Sequence, residues 1–272
     1  MGVGQAGSAS VGPADLRGRT AMITGASGGI GRVLARRYAQ CGANVVLVAR
    51  RAEQLAETAR LVADDGGESL TAVADICNED HCREAVGQAL SRFGRLDVLV
   101  NNAAVPGTDQ AVSEATVANW REVLETNLIA PMVLSREALR QAMICSGSGN
   151  IQFVSSAAAR LVRTGKAHYA AAKLGLSALG QTLAVEVGSL GIRVNTIVIG
   201  AVAGELVDNY VARLAVQESV APESVRQRLA SANALARLVE PQEIADVSVW
   251  LASDAASAIT GQDIFVTAGQ QR

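Results

Sequence analysis

Eight residues, Thr24-Gly25-Ala26-Ser27-Gly28-Gly29-Ile30-Gly31, constrain the fold more than any other stretch. A short apolar run, Ala21-Met22-Ile23, precedes them. A helical pattern follows, with Val33, Leu34 and Tyr38 apolar and Arg32, Arg36 and Arg37 interleaved. A buried strand therefore passes through a glycine-rich turn into a helix N-terminus. Glycines let the backbone approach closely there, and free N–H groups with the helix dipole favour an anion such as phosphate. The spacing is G-x-x-x-G-x-G rather than the G-x-G-x-x-G fingerprint. On its own the turn reads equally as a dinucleotide site and as a plain tight turn.

Apolar runs alternate with helical patterns along the rest of the chain. This predicts an α/β fold, a doubly wound and mainly parallel sheet with helices on both faces. Strands are expected at 44–49, 70–74, 96–100, 151–155, 192–198 and 263–267. Helices are expected at about 51–63, 78–93, 117–143, 167–187 and 241–251, with one or two more and no strand between 203 and 237. The length of 272 residues suits a single domain, 16–272, behind a Gly/Ala/Ser-rich tail, 1–15, expected to be mobile. Hydrophobic residues make up 49% of the chain but aromatics only 3%, so Ala, Val, Leu and Ile must build the core. A net charge of −2 suggests no nucleic-acid partner. No apolar run reaches membrane-span length, and the tail lacks a signal peptide's charged start and apolar stretch. A cytoplasmic location is expected.

Cys41, Cys77, Cys82 and Cys145 are scattered like buried thiols rather than a disulfide framework. Cys77, His81 and Cys82 cluster, but with two histidines in the chain and no paired C-x-x-C, no metal ion is expected. Segments 128–143 and 170–187 are apolar beyond the one stripe a sheet requires. A second copy covering the surplus predicts a homo-oligomer, tetramer or dimer.

Tyr169 and Lys173 stand four apart in a helical stretch, one turn apart on one face. A nearby ammonium favours phenolate and lowers a tyrosine pKa from about 10. Ser156 lies thirteen residues earlier, at the end of a predicted strand. On a parallel sheet, strand ends and the following helix starts gather along one edge, where ligands bind. Y-x-x-x-K alone also arises as a buried Tyr beside an ordinary helix Lys.

In order along the chain stand the glycine turn, Asp75-Ile76, Asn101-Asn102-Ala103-Ala104, Asn127, Ser156, Tyr169 with Lys173, and Arg193-Val194-Asn195 leading to Gly200. Through these motifs the sequence resembles the short-chain dehydrogenase/reductase family in its single-domain form, over residues 16–269. The resemblance implies a Rossmann-type sheet of seven mainly parallel strands and a nicotinamide-dependent oxidoreductase. It also implies an assembly built on the two apolar helices. Tyr169 would be general acid in reduction and base in oxidation. Lys173 would lower its pKa and bind the nicotinamide ribose. Ser156 would bond the substrate oxygen, and Asn127 would hold a proton-relaying water. Cofactor contacts are implied at Gly25, Ser27, Gly29, Ile30, Gly31, Asp75, Ile76, Asn102, Ala103, Ala104, Tyr169, Lys173, Gly200 and Val202. Ala49 stands where an NAD enzyme usually has a carboxylate, and Arg50 and Arg51 follow at once. Two guanidiniums suit a 2′-phosphate, so NADP(H) is expected over NAD(H), with Arg50 foremost. The alternative is that both arginines start a solvated helix. Gly28 also stands where many NADP-dependent relatives carry a basic residue. Ala104, Ile199, Gly204 and Thr267-Ala268 replace a commoner Gly, Pro, Thr and Asp-Gly. The Gly204 change puts the order of the nicotinamide loop in question.

The expected activity is a carbonyl reductase or alcohol dehydrogenase acting on a small, mostly apolar substrate under a lid at about 203–237. Leu206, Val207, Tyr210, Val211 and Leu214 recur at helical spacing there and either face substrate or pack the lid. Arg163 and His168 are expected in solvent, with contact to a polar substrate group as the alternative. The first rival is a 3-oxoacyl-(acyl-carrier-protein) reductase. Relatives with that task carry Arg near the ends of the two long helices, where this chain has Gly147 and Leu190. The second is a cofactor-sensing binding protein without catalysis, against which Ser156, Tyr169, Lys173 and Asn127 all speak.

Overall fold

Along β1 and β2, alternate apolar residues serve two different cores, the consequence of a sheet covered on both faces. Met22 and Val46 join one cluster with Leu99, Ile151 and Phe153. Ala21, Ile23, Val45 and Leu47 join the other with Leu34, Tyr38 and Val249. Each fully buried Val or Leu side chain contributes about 1.5–3 kcal/mol.

The computed structural model describes residues 14–161 and 163–270. The expected tail lies outside them, apart from Ala14 and Asp15. The elements are β1 (Thr20–Thr24), α1 (Gly29–Gln40), β2 (Asn44–Ala49), α2 (Ala52–Asp64), β3 (Ser69–Val73), α3 (Glu79–Phe93), β4 (Val98–Asn101) and α4 (117–146), followed by β5 (Gly149–Ser156), α5 (Ala167–Val187), β6 (Ile192–Ile199), α6 (Glu205–Glu218), α7 (Pro222–Ser231), α8 (Pro241–Ala252) and β7 (Asp263–Val266). The seven strands form one sheet in the order β3-β2-β1-β4-β5-β6-β7, and every neighbouring pair is parallel. Each strand lies within two residues of its expected range. The chain winds outward from β1 to β3, crosses back to β4 beside β1, and winds on to β7. A crevice therefore opens beyond the carboxyl ends of β1 and β4, where such sheets bind ligands.

Two features depart from a simple reading. Helix α4 contains two π-helical turns, Glu125–Ile129 and Leu139–Met143, where an uninterrupted helix is expected. The first holds Asn127. Helices α6 and α7 have a small core of their own: Val211, Ala215 and Val225, joined by Val207, Leu214 and Leu229. Three of the five residues offered as substrate-facing thus pack α6 against α7, while Leu206 is exposed. Among the described residues no helix is long and apolar enough to cross a membrane.

Candidate active site

The glycine turn is built by close approach. Gly25 has φ +69° and Gly29 φ +51°, conformations that favour glycine. A Cβ on Gly31 would stand 2.2 Å from the Gly25 carbonyl oxygen. The end of β4 braces the turn from the other side. Thr24 Oγ1 accepts from the N–H groups of Asn102 and Ala103, both at 3.0 Å, and Asn102 Nδ2 donates to the Thr24 carbonyl at 2.8 Å. α1 starts with no acidic residue in its first turn and with Gly28 as N-cap, which offers no side chain to its open N–H groups.

A third support comes from α2. Thr58 Oγ1 donates to the Ala26 carbonyl and accepts from Arg32 Nε, while Arg32 Nη2 donates to the Ser27 carbonyl at 3.2 Å. Arg51 Nη2 donates to Ser27 Oγ at 3.0 Å and lies 3.6 Å from where a Gly28 Cβ would stand. Arg51 rather than Arg50 therefore reaches the turn. The space a basic residue at position 28 would use is filled from α2's N-cap. Arg32 had no assigned role in the sequence; its signal was only that it follows Gly31, and its contact to Thr58 is tertiary.

β5 and α5 assemble the second half of the site. Lys173 is buried, and its Nζ donates to the Val154 carbonyl at 2.8 Å. Ser155 Oγ donates to the Lys173 carbonyl at 2.8 Å, so strand and helix are tied at both ends of this residue. Burial pulls the Lys173 ammonium down from 10.5 to about 8. Its Nζ lies 5.8 Å from the Tyr169 ring centroid. Burial raises the Tyr169 phenol above its ordinary range, and the polar Ser156 side chain opposes that rise. Ser156, Tyr169 and Lys173 thus come together as expected. The net lowering of the Tyr169 phenol expected from Lys173 is not seen, because desolvation raises it by more. Ser156 Oγ also accepts from the Ala158 N–H at 3.2 Å, which fixes its rotamer.

Asn127 is fully buried, and both of its side-chain polar atoms are committed. Oδ1 accepts from the Val105 N–H and Nδ2 donates to the Val105 carbonyl, each at 2.8 Å. Its amide is therefore a clamp on the β4–α4 loop. Asn119, which sequence reasoning missed, holds Thr108 N–H and C=O in the same manner at 3.0 and 2.8 Å. His168 is also buried, against expectation. Its Nε2 lies 3.4 Å from the Pro106 carbonyl and its ring meets Trp120 edge-on, so the same loop folds over it.

A family model described as enoyl-(acyl carrier protein) reductase matches residues 25–271. A short chain dehydrogenase/reductase of Aspergillus oryzae is 36% identical over 255 residues, covering 93% of this chain and 95% of the relative. The chain belongs to the short-chain dehydrogenase/reductase family. A 3-oxoacyl-(acyl-carrier-protein) reductase of Rickettsia conorii is 32% identical, covering 94% of this chain and 98% of the relative. Two solved structures share the fold with a TM-score of 0.88 each: a carveol dehydrogenase from Mycobacterium avium in complex with NAD, and an actinorhodin polyketide ketoreductase variant with NADPH. The first is 27% identical over 94% of this chain and 99% of that one; the second is 29% identical over 93% and 97%.

The family binds a nicotinamide cofactor, and the residues present fit one. The Gly25–Gly31 cradle would be closed by a single added Cβ, an open helix N-terminus faces it, and no carboxylate stands at Ala49. The Ile30 side chain packs against the core. Asp75 and Ile76 follow β3, farther along the same edge, where Asp75 Oδ1 accepts from the Cys77 N–H. Ala104 continues the β4 loop. Gly200 ends β6 so close to β7 that its Cβ would stand 2.9 Å from Thr267 Cα, and Val202 pairs with Val239. Gly204 has φ +131°, which strains any other residue, and it N-caps α6; glycine there sets the start of that helix. The Cys77–His81–Cys82 cluster does not converge. His81 Nδ1 accepts from the Asp75 N–H, Cys82 Sγ donates to the Ile76 carbonyl, and Cys77 Sγ meets Thr126.

Proposed function

We propose that this oxidoreductase interconverts a small carbonyl compound and its secondary alcohol with NADP(H), using Tyr169 as general acid and base. The observation that carries this reading is a desolvated Tyr169 whose ring lies 5.8 Å from the Nζ of buried Lys173, with Ser156 at the end of the adjoining strand. In reduction Tyr169 gives its phenolic proton to the substrate oxygen, which Ser156 orients by a second hydrogen bond. In oxidation the Tyr169 phenolate takes the proton of the substrate hydroxyl. Lys173 holds positive charge next to the phenolate as it forms. Asn127 and Asn119 keep the β4–α4 loop in place over the site. Gly25, Ser27, Gly29, Gly31, Asn102, Ala103 and Lys173 would hold the cofactor, which supplies or accepts the hydride when bound. Residues 203–237 act as the lid of a single domain, 16–272. A carbonyl panel run with NADPH and NADH, followed by nicotinamide absorbance, tests the reading. No turnover of any member would refute it.

The NADP preference rests on Arg51, which reaches Ser27 from a strand end without a carboxylate. A charge-assisted hydrogen bond contributes about 1.5–3 kcal/mol, on the order of tenfold to hundredfold. Arg51→Ala is expected to weaken NADPH binding by that factor, Arg50→Ala by less, and neither to change NADH binding much. Equal use of both cofactors by the parent enzyme, unchanged in Arg51→Ala, would overturn the assignment.

Exposed apolar residues on both long helices support a homo-oligomer: Ile129, Met132 and Ile144 on α4, Leu174 and Val185 on α5. Sedimentation should read a dimer or tetramer, and Met132→Glu with Leu174→Glu should dissociate it. Docking an acidic acyl carrier is less supported, because Gly147 and Leu190 offer no charge at the helix ends.

A further inference from the structure

Three segments meet around the start of α5, where Lys166 caps the helix that carries Tyr169, and bring cations with them. The β4–α4 loop contributes Asp109, the turn before α5 contributes Arg163 and Lys166, and α6 contributes Tyr210 and Arg213. The two arginines lie against one ring, with Arg163 Cζ 6.0 Å and Arg213 Cζ 5.4 Å from the Tyr210 centroid. Asp109 is the one carboxylate in the group. It pairs closely with Lys166, whose Nζ also donates to the Pro106 carbonyl at 3.2 Å. Arg213 reaches the same carboxylate only at 3.4 Å. Arg163 makes no ion pair among the described residues. The remaining acids of α6 do not supply one: Asp208 pairs with Arg226 and Glu218 with Arg228, and Glu205 stands two turns before Arg213.

The group therefore holds three cations against one anion. Two guanidiniums around a single ring repel each other, and the π face of Tyr210 offsets only part of that cost. An anion between them would relieve it, and a planar carboxylate matches the guanidinium fork with paired hydrogen bonds. We propose that the substrate carries a carboxylate as well as its carbonyl, and that Arg163 and Arg213 hold that carboxylate at the mouth of the site. The inference rests on the carbonyl-reducing reading above and changes its substrate class, since three of the five side chains expected to face substrate pack α6 on α7 instead. The patch is compact, one ring wide, which suits a small acid rather than the surface of an acidic carrier protein.

The test uses the full-length enzyme with saturating cofactor and keto acids offered both free and as methyl esters. Levulinate and 4-oxocyclohexanecarboxylate serve as probes. The free acid is expected to exceed its ester about tenfold or more in kcat/KM, chiefly through KM, with the advantage shrinking as salt rises. In Arg163→Gln and in Arg213→Gln the acid-to-ester ratio falls about tenfold, and Arg163→Lys retains part of it. Both arginines are exposed, so thermal melts should stay near that of the parent. Equal turnover of acid and ester, or variants that lower both alike, would overturn the proposal and leave a lid contact in its place. Turnover of thioesters only when presented on an acidic carrier protein would also overturn it. Ester turnover that depends on Tyr169 but shows no acid preference refutes this inference alone. Turnover of neither form, while other carbonyls of the panel are reduced, also refutes this inference alone; no turnover of any carbonyl refutes the catalytic reading beneath it.

Discussion

Tyr169→Phe is expected to lower turnover of the best carbonyl substrate about a hundredfold to ten-thousandfold, the usual contribution of a general acid–base group. The substitution removes one hydroxyl and leaves the ring that packs near Lys173 in place. Cofactor affinity, read by fluorescence titration, should change little. The direction of the Tyr169 shift adds a pH signature. Burial favours the neutral phenol, with Ser156 pulling the other way, so the cofactor-free site stores the proton that reduction consumes. Reduction should therefore hold its rate through neutral pH and decline as the phenol ionises. Oxidation needs the phenolate and should climb over the same range. A Phe variant that kept most of its turnover, or parent profiles with the two limbs reversed, would remove Tyr169 from the acid–base role.

The parts of this site legible in the sequence are those set by local rules. β2 shows why: Val45–Ala49 is an unbroken apolar run, the pattern of a strand buried on both faces. The glycine turn was legible because its conformation demands glycine at Gly25 and Gly29 and because Gly31 admits no Cβ. Spacing alone placed Tyr169 and Lys173 on one helical face. What escaped depends on contacts between distant segments. Nothing in the local pattern around Asn127 marks a π turn, and its bonds to Val105 exist only once α4 has folded over the β4 loop. His168 looks like a surface residue in a polar stretch, yet Pro106 and Trp120 enclose it. Arg51 and Arg50 are indistinguishable in sequence, and the N-cap geometry of α2 decides which one reaches Ser27. The apolar spacing in α6 was real, but periodicity does not say which neighbour it faces. Here that neighbour is α7.

Lys173→Met should abolish most of the activity, by about a hundredfold or more, because the forming phenolate loses the cation that lies against its ring. Stability should respond in the opposite direction, with a definite pH dependence. In the folded chain the Lys173 ammonium is pulled from 10.5 to about 8 by burial, so folding opposes the charged form. Below about pH 8 both folded and unfolded chains are protonated at this site and the folded chain bears the whole penalty. Between about 8 and 10.5 the unfolded chain keeps its proton while the folded chain releases it. Stability from this group therefore rises with pH across that window, and above it the penalty is gone. At about 1.36 kcal/mol per pKa unit, the full penalty is on the order of 3 kcal/mol. Methionine carries no charge and pays none of it, though it gives up the bond to the Val154 carbonyl. The stability of Lys173→Met minus that of the parent should thus fall by about 3 kcal/mol as pH rises through the window. Urea unfolding of both proteins at a series of pH values measures it. Titrations of groups away from position 173 cancel in the difference, including those of Cys41, Cys77 and Cys82, whose thiols burial raises in both proteins. A difference that stayed constant with pH would mean that Lys173 titrates normally in the fold, and its burial against Val154 would no longer explain how the site holds a charge beside Tyr169.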